Sequence, residues 1–273
     1  MPHTSLPAHD AFVDHLRQES LRFREVLTGA PAGARVPTCP DWDADDLIWH
    51  LGEVQWFWGE IVERRLTSGD QLAAVEAARV PRPTDRAGLL AHFDRSSERL
   101  HTQLLQTPPE TEIWMWADDH SAAYIARRQA HEALIHRIDA ELTAGVERAP
   151  IDCQLAADGV DEALRVMRGF EPEPGFTAEP IGAAVTVSVV DGMHSWTVTP
   201  VRVRGQAEDG SAWDGERVTV EDGPTADASA EIAGTAADLD CWLWNRPAAG
   251  EIRRQGDSDA LEALDRVIAG SID

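Results

Sequence analysis

The stretch HEALIH, residues 131 to 136, places two histidines and a glutamate within six positions. Imidazole nitrogens and carboxylate oxygens hold metal ions and carry protons, so the first question is which of the three can act together. In the H-E-x-x-H pattern, two histidines four apart share one helix face. His131 and His136 are five apart and, at 100° per residue, diverge by about 140°. They cannot chelate one ion from a regular helix. Glu132 and His136 are four apart and diverge by only about 40°. The usable pair is therefore E-x-x-x-H, with His131 pointing elsewhere. Such a pair is also an ordinary polar contact on a solvated helix face, and two ligands do not make a site.

A third ligand has to come from another helix, because metal sites in helical bundles are built from facing helices. His50, in DDLIWHLGEVQWFW, falls on one stripe with Val54, Phe57 and Ile61 at the edge of an apolar face. It is either an inward-pointing ligand or a boundary histidine of the core. With Glu132 and His136 it would complete a two-histidine, one-carboxylate set that leaves coordination positions open. Asp139, one turn after His136, is spaced to orient a ligand. Arg127, Arg128 and Arg137 read as solvated charges paired with Glu132 and Glu141. His92, His101 and His120 show no common register. His3, His9 and His15 lie at or near a terminus expected to be mobile.

The elements that must position these groups are legible as periodicity. Phe12, Leu16, Phe23 and Leu27 mark a helix over residues 9–28. The segment APAGARVPTCPDWD reads as a loop. Asp43 is then an N-cap with Asp46 three positions on, and Leu47, Leu51, Val54, Trp58 and Ile61 carry a second helix to about Leu66. A third helix starts near Thr84 and is broken by TPPE. A fourth runs from Ser121 to Leu142 and stops near Gly145. Four such helices predict a four-helix bundle over residues 1–148. From 149 to 273 the pattern changes to α+β. A helix spans 153–168. Strands follow over AAVTVSVV, HSWTVTPVRV, ERVTVE and ASAEIAG, then helices over TAADLDCWLWN and SDALEALDRVIAG.

Composition narrows the function. The 273 residues carry a net charge of −24, which repels nucleic-acid backbones and acidic membrane surfaces alike. Every basic residue is arginine, which removes Schiff-base and P-loop lysine chemistry. Cys39, Cys153 and Cys241 are scattered, as reduced thiols are, and suit neither a disulfide framework nor a cysteine zinc site. The opening MPHTSLPAHD lacks the basic start and apolar core of a signal peptide, and no apolar run reaches about 18 residues. A cytoplasmic protein is expected.

Three patterns carry a resemblance. They are VPTCPDWDADDLIWHLG (36–52), RRQAHEALIHRIDAE (127–141), and the C-terminal series DGMHSWTV, ADASAEIAGTAADLDCWLWNRP and the helix after QGDSDAL. Together they resemble the mycothiol-dependent maleylpyruvate isomerase family of the DinB-like metalloenzyme superfamily, over nearly the whole chain. The resemblance implies a DinB-like four-helix bundle followed by a small α+β domain of sterol-carrier-like pattern. It implies a divalent metal, zinc, on His50, Glu132 and His136, and mycothiol as cofactor. It gives Arg246, in LWNRP, as the second domain's contribution to the site, where an arginine would hold a substrate carboxylate. The activity implied is activation of a thiol for attack on a small electrophile, as an isomerase or a thiol transferase. A hydrolase using zinc-bound water and a non-catalytic small-ligand-binding protein are the alternatives. No extra general base accompanies the three ligands, which favours the thiol.

Overall fold

The computed structural model describes residues 7–31, 33–206 and 210–270. They divide into two compact units, Pro7–Pro150 and the residues from Ile151 onward. The first unit holds α1 (His9–Gly29), a short hairpin of β1 (Arg35–Val36) and β2 (Cys39–Asp43), and α2 (Ala44–Arg64). A 3-10 turn at Gly69–Gln71, α3 (Leu72–Glu76), α4 (Arg86–Gln106) and α5 (Ala122–Ala144) complete it. Helix α1 packs on α4 and α5, and α2 packs on the same two, so the four long helices close a bundle.

Local chemistry fixes the helix ends. The Asp43 carboxylate accepts from the backbone N–H groups of Asp45 and Asp46 at 2.9 and 3.0 Å. Asp46 reaches back to the Asp43 N–H at 3.0 Å, so α2 opens with a reciprocal capping box. Asp85, one residue past the expected Thr84, caps α4 through the Gly88 N–H. Helix α5 ends on Gly145, whose φ of 64° is left-handed and suits a residue without a Cβ. Two readings change. The expected loop before α2 holds the hairpin, anchored by Val36 in the core beside Leu47, Ile48 and Leu51. His9 and His15 sit inside α1 rather than in a mobile terminus; His3 lies outside the described residues.

Helix α5 is buried almost all round, so its charged side chains need partners inside the bundle. The Arg137 guanidinium, 1% exposed, donates to Glu19 on α1 at 2.7 Å, to Glu141 at 2.8 Å and to the Ala149 carbonyl at 3.0 Å. Glu141 also takes Arg22 of α1 at 2.9 Å. Arg137 is not a solvated charge; it ties α5 to α1.

The second unit begins with α6 (Cys153–Glu162), continued by a wide helical turn over Ala163–Met167. It then forms β3 (Phe176–Pro180), β4 (Val185–Val189), β5 (Ser195–Gln206), β6 (Ala212–Asp222), β7 (Ala230–Gly234), α7 (Ala236–Leu243), β8 (Arg253–Gly256) and α8 (Ser258–Ala269). Strand β5 pairs along one edge with β6. Along the other it pairs with β4 and then β3, all antiparallel. Strand β4 runs parallel to β7, and β7 antiparallel to β8. The unit is α+β, as the sequence predicts. Strands β3 and β8 escaped that reading because FTAEP and RRQG are largely exposed and lack apolar alternation. Arg168, buried, donates to the carbonyls of Leu243, Val267 and Gly270, gathering the ends of α7 and α8.

Breaking one partner of a buried ion pair costs several kcal/mol because the other charge stays inside. Arg137→Met is expected to destabilise the bundle unit by about 3 kcal/mol in urea unfolding. A loss below about 1 kcal/mol, the range of a surface pair, would show that the network contributes little.

Candidate metal centre

The geometry begins two turns into α2. His50 projects from there toward the middle of α5, where Glu132 and His136 stand one turn apart. His50 Nε2 and His136 Nε2 lie 3.3 and 3.2 Å from the same oxygen, Glu132 Oε1. One donor atom from each of the three lies within 4.8 Å of the other two. Among the described residues no other group of three histidine, cysteine or acidic side chains meets in this way. The imidazole rings of His50 and His136 are 4.7 Å apart and cross at 73°, so their nitrogens converge rather than stack.

Two of the three donors are held from behind. Arg128 donates to Glu132 Oε2 at 2.7 Å, leaving Oε1 for the two imidazoles. His136 Nδ1 meets Asp139 Oδ2 at 2.9 Å. A carboxylate on Nδ1 keeps a proton there and turns Nε2 toward the cluster. Trp42, on β2, packs its indole 4.6 Å from the His50 ring and 6.2 Å from the His136 ring. His131, by contrast, is buried edge-on to Phe12 of α1 at 6.0 Å, pointing away from the cluster as the spacing requires.

Burial and neighbouring charge oppose each other at the cluster. Burial alone would raise the Glu132 carboxyl. The two histidines and Arg128 outweigh it and hold the group well below the usual carboxylate range. Burial would lower His136, but Glu132 and Asp139 reverse this and bring it to about 9. The proton that His136 keeps at neutral pH occupies the position a cation would take. With that proton displaced, two imidazole nitrogens and one carboxylate oxygen, with further positions open, fit a divalent ion.

Sequence reasoning treated other parts of the site less well. Arg128 is not a solvated charge; it is 3% exposed and bonded to Glu132. The contact of Trp42 with both imidazoles has no signature in helical spacing because it sits on a strand. A second buried contact also escaped notice. His92 Nε2 lies 2.9 Å from Glu53 Oε1, with Arg79 on Glu53 Oε2 at 2.7 Å. Burial pushes Glu53 up and His92 down, and no third donor joins them. Arg246 lies on the second unit just beyond α7, where its guanidinium donates to the Trp244 carbonyl at 2.7 Å.

Comparison with known proteins bears on the fold. Residues 13–141, spanning α1 to α5, match the family model of the mycothiol maleylpyruvate isomerase N-terminal domain. No curated protein matches the sequence. Among solved structures, the crystal structure of the mycothiol-dependent maleylpyruvate isomerase is 12% identical with a TM-score of 0.58, over 93% of this chain and 96% of that one. A crystal structure of a single-site mutant of the mycothiol-dependent maleylpyruvate isomerase is 11% identical with a TM-score of 0.55, over the same shares. At that identity the likeness carries the fold. In the described residues no helix is long and apolar enough to cross a membrane. Through its helical unit, just under half of its length, the chain is similar to the mycothiol maleylpyruvate isomerase family.

Proposed function

We propose that this chain is a mycothiol-dependent enzyme that holds a divalent ion, zinc, on His50, Glu132 and His136 and acts on a small electrophile, as an isomerase of the maleylpyruvate type. The observation that carries this reading is the convergence of two imidazole nitrogens on one carboxylate oxygen from two helices of a closed bundle. A bound divalent ion supplies positive charge that keeps a thiol ionised at neutral pH, where a free thiol is mostly protonated.

The chain's own residues do the rest. Among the three donors Glu132 alone is a carboxylate, and Arg128 neutralises its outer oxygen. Asp139 holds the His136 ring in register. Trp42 packs against both imidazoles from the hairpin side. On the substrate, sulfur adds to a conjugated double bond, the resulting single bond rotates, and elimination of the thiol restores the double bond. Arg246 is our candidate for holding a substrate carboxylate, as a planar guanidinium does bidentately. A thiol transferase would run the first step and stop. A hydrolase with the same donor set would need no thiol.

Purified protein is expected to contain one equivalent of divalent metal by elemental analysis, and His50→Ala and Glu132→Gln to contain almost none. Metal-free wild type that cannot be loaded with zinc would defeat the ligand assignment. With metal present, isomerisation of maleylpyruvate is expected only when mycothiol is added. Turnover of an ester or amide without thiol would instead establish the hydrolase.

The pH dependence of loading has a definite sign. His136 is protonated in the metal-free protein below about 9, and a cation must displace that proton. Affinity for zinc is therefore expected to rise by about tenfold per pH unit between pH 6 and 8 and to level off near 9. Calorimetry in buffers of different ionisation enthalpy should report about one proton released at pH 7. Affinity that does not change with pH would contradict the assigned role of His136.

A further inference from the structure

His136 is held from behind by a carboxylate that is itself held from another element. Asp139 is fully buried, and its two oxygens have separate duties. Oδ2 receives the His136 Nδ1–H at 2.9 Å. Oδ1 accepts the Thr38 hydroxyl at 2.5 Å. Thr38 lies on the turn between β1 and β2, so the contact leaves α5 and ends on the hairpin. The same hairpin places Trp42 against His50 and His136 and ends at Asp43, whose carboxylate caps the helix that carries His50. One nine-residue segment thus reaches the carboxylate behind His136, the ring faces of His50 and His136, and the start of the helix bearing His50.

A carboxylate that accepts from one donor can rotate about its bond to Cβ; one that accepts from two donors in different directions cannot. The rotation matters here because the Asp139 carboxylate sets the plane and tautomer of the His136 ring. If the carboxylate turned, Nε2 would swing away from the point it shares with His50 and Glu132. A serine or threonine hydroxyl can make the second contact, and valine, of the same shape, cannot.

We infer that Thr38 and Asp139 are positioning residues for the metal ligand His136, with the hairpin turn as the fixed end of the relay Thr38–Asp139–His136. The inference rests on the metal reading above. It assigns to a strand-turn residue, outside the helices that bear the ligands, control over how tightly and in what geometry the cation is held.

The experiment compares wild type with Thr38→Val, Thr38→Ser and Asp139→Asn. Each is measured for zinc affinity by chelator competition, for the visible spectrum of the cobalt-loaded protein, and for the melting temperature of the metal-free protein. Loss of an outer partner of a ligand typically lowers metal affinity by about 10- to 100-fold. Thr38→Val and Asp139→Asn are expected to fall in that range with altered cobalt spectra. Thr38→Ser is expected to restore both affinity and spectrum. Wild-type affinity and spectrum in Thr38→Val would overturn the relay while leaving the metal site intact. Equal loss in Thr38→Val and Thr38→Ser, tracking a fall in melting temperature, would assign Thr38 a purely structural role and also overturn it. Wild type that takes up no zinc or cobalt would remove the metal reading and the relay together.

Discussion

Charge inside a bundle must be answered from inside the bundle, and helix α5 meets this constraint along most of its length. Arg128, Glu132, His136, Arg137, Asp139 and Glu141 lie on a helix with almost no solvated face. They are answered within α5, as Arg128 is by Glu132, or from a neighbouring element: Glu19 and Arg22 from α1, His50 from α2, Thr38 from the hairpin. The polar groups therefore fall into two sets along one helix. The set toward the C-terminal end, around Arg137 and Glu141, is closed, with its charges matched by opposite charges or backbone groups. In the set around Glu132 and His136, one carboxylate oxygen is shared between two imidazoles. That shared oxygen separates a structural ion network from a site with room for a cation.

The bundle was legible because its determinants are local. Apolar residues every three to four positions, aspartates at helix starts and a glycine at the end of α5 each act within a turn or two of themselves. The ligand triad was partly legible for the same reason. The four-residue spacing of Glu132 and His136 decides which of three side chains share a face, and the five-residue spacing excludes His131. His50 needed more, since helical phase gives the face but not the facing helix. Its stripe with Val54 and Phe57 allowed an inward direction, and the family pattern around LIWHLG selected it.

What stayed hidden depended on contacts between segments far apart in sequence. Arg137 and Glu19 are 118 positions apart, and Thr38 and Asp139 are 101 apart; no periodicity links them. An arginine-rich helix looks solvated in sequence when its counter-charges lie on other helices. The hairpin was read as a loop because its strands are too short to alternate. Exposed edge strands of the second unit were missed for a related reason. Without a buried face, a strand has no apolar rhythm to betray it.

The indole of Trp42 gives the site an optical consequence. Protonated imidazoles and many transition-metal ions quench tryptophan emission at contact range, and this ring lies 4.6 Å from one imidazole and 6.2 Å from another. The intrinsic fluorescence of the folded chain therefore contains a contribution from one residue that senses the charge state of both histidines. The nine other tryptophans supply a background, and a single Trp42→Phe difference spectrum isolates the component that reads the site.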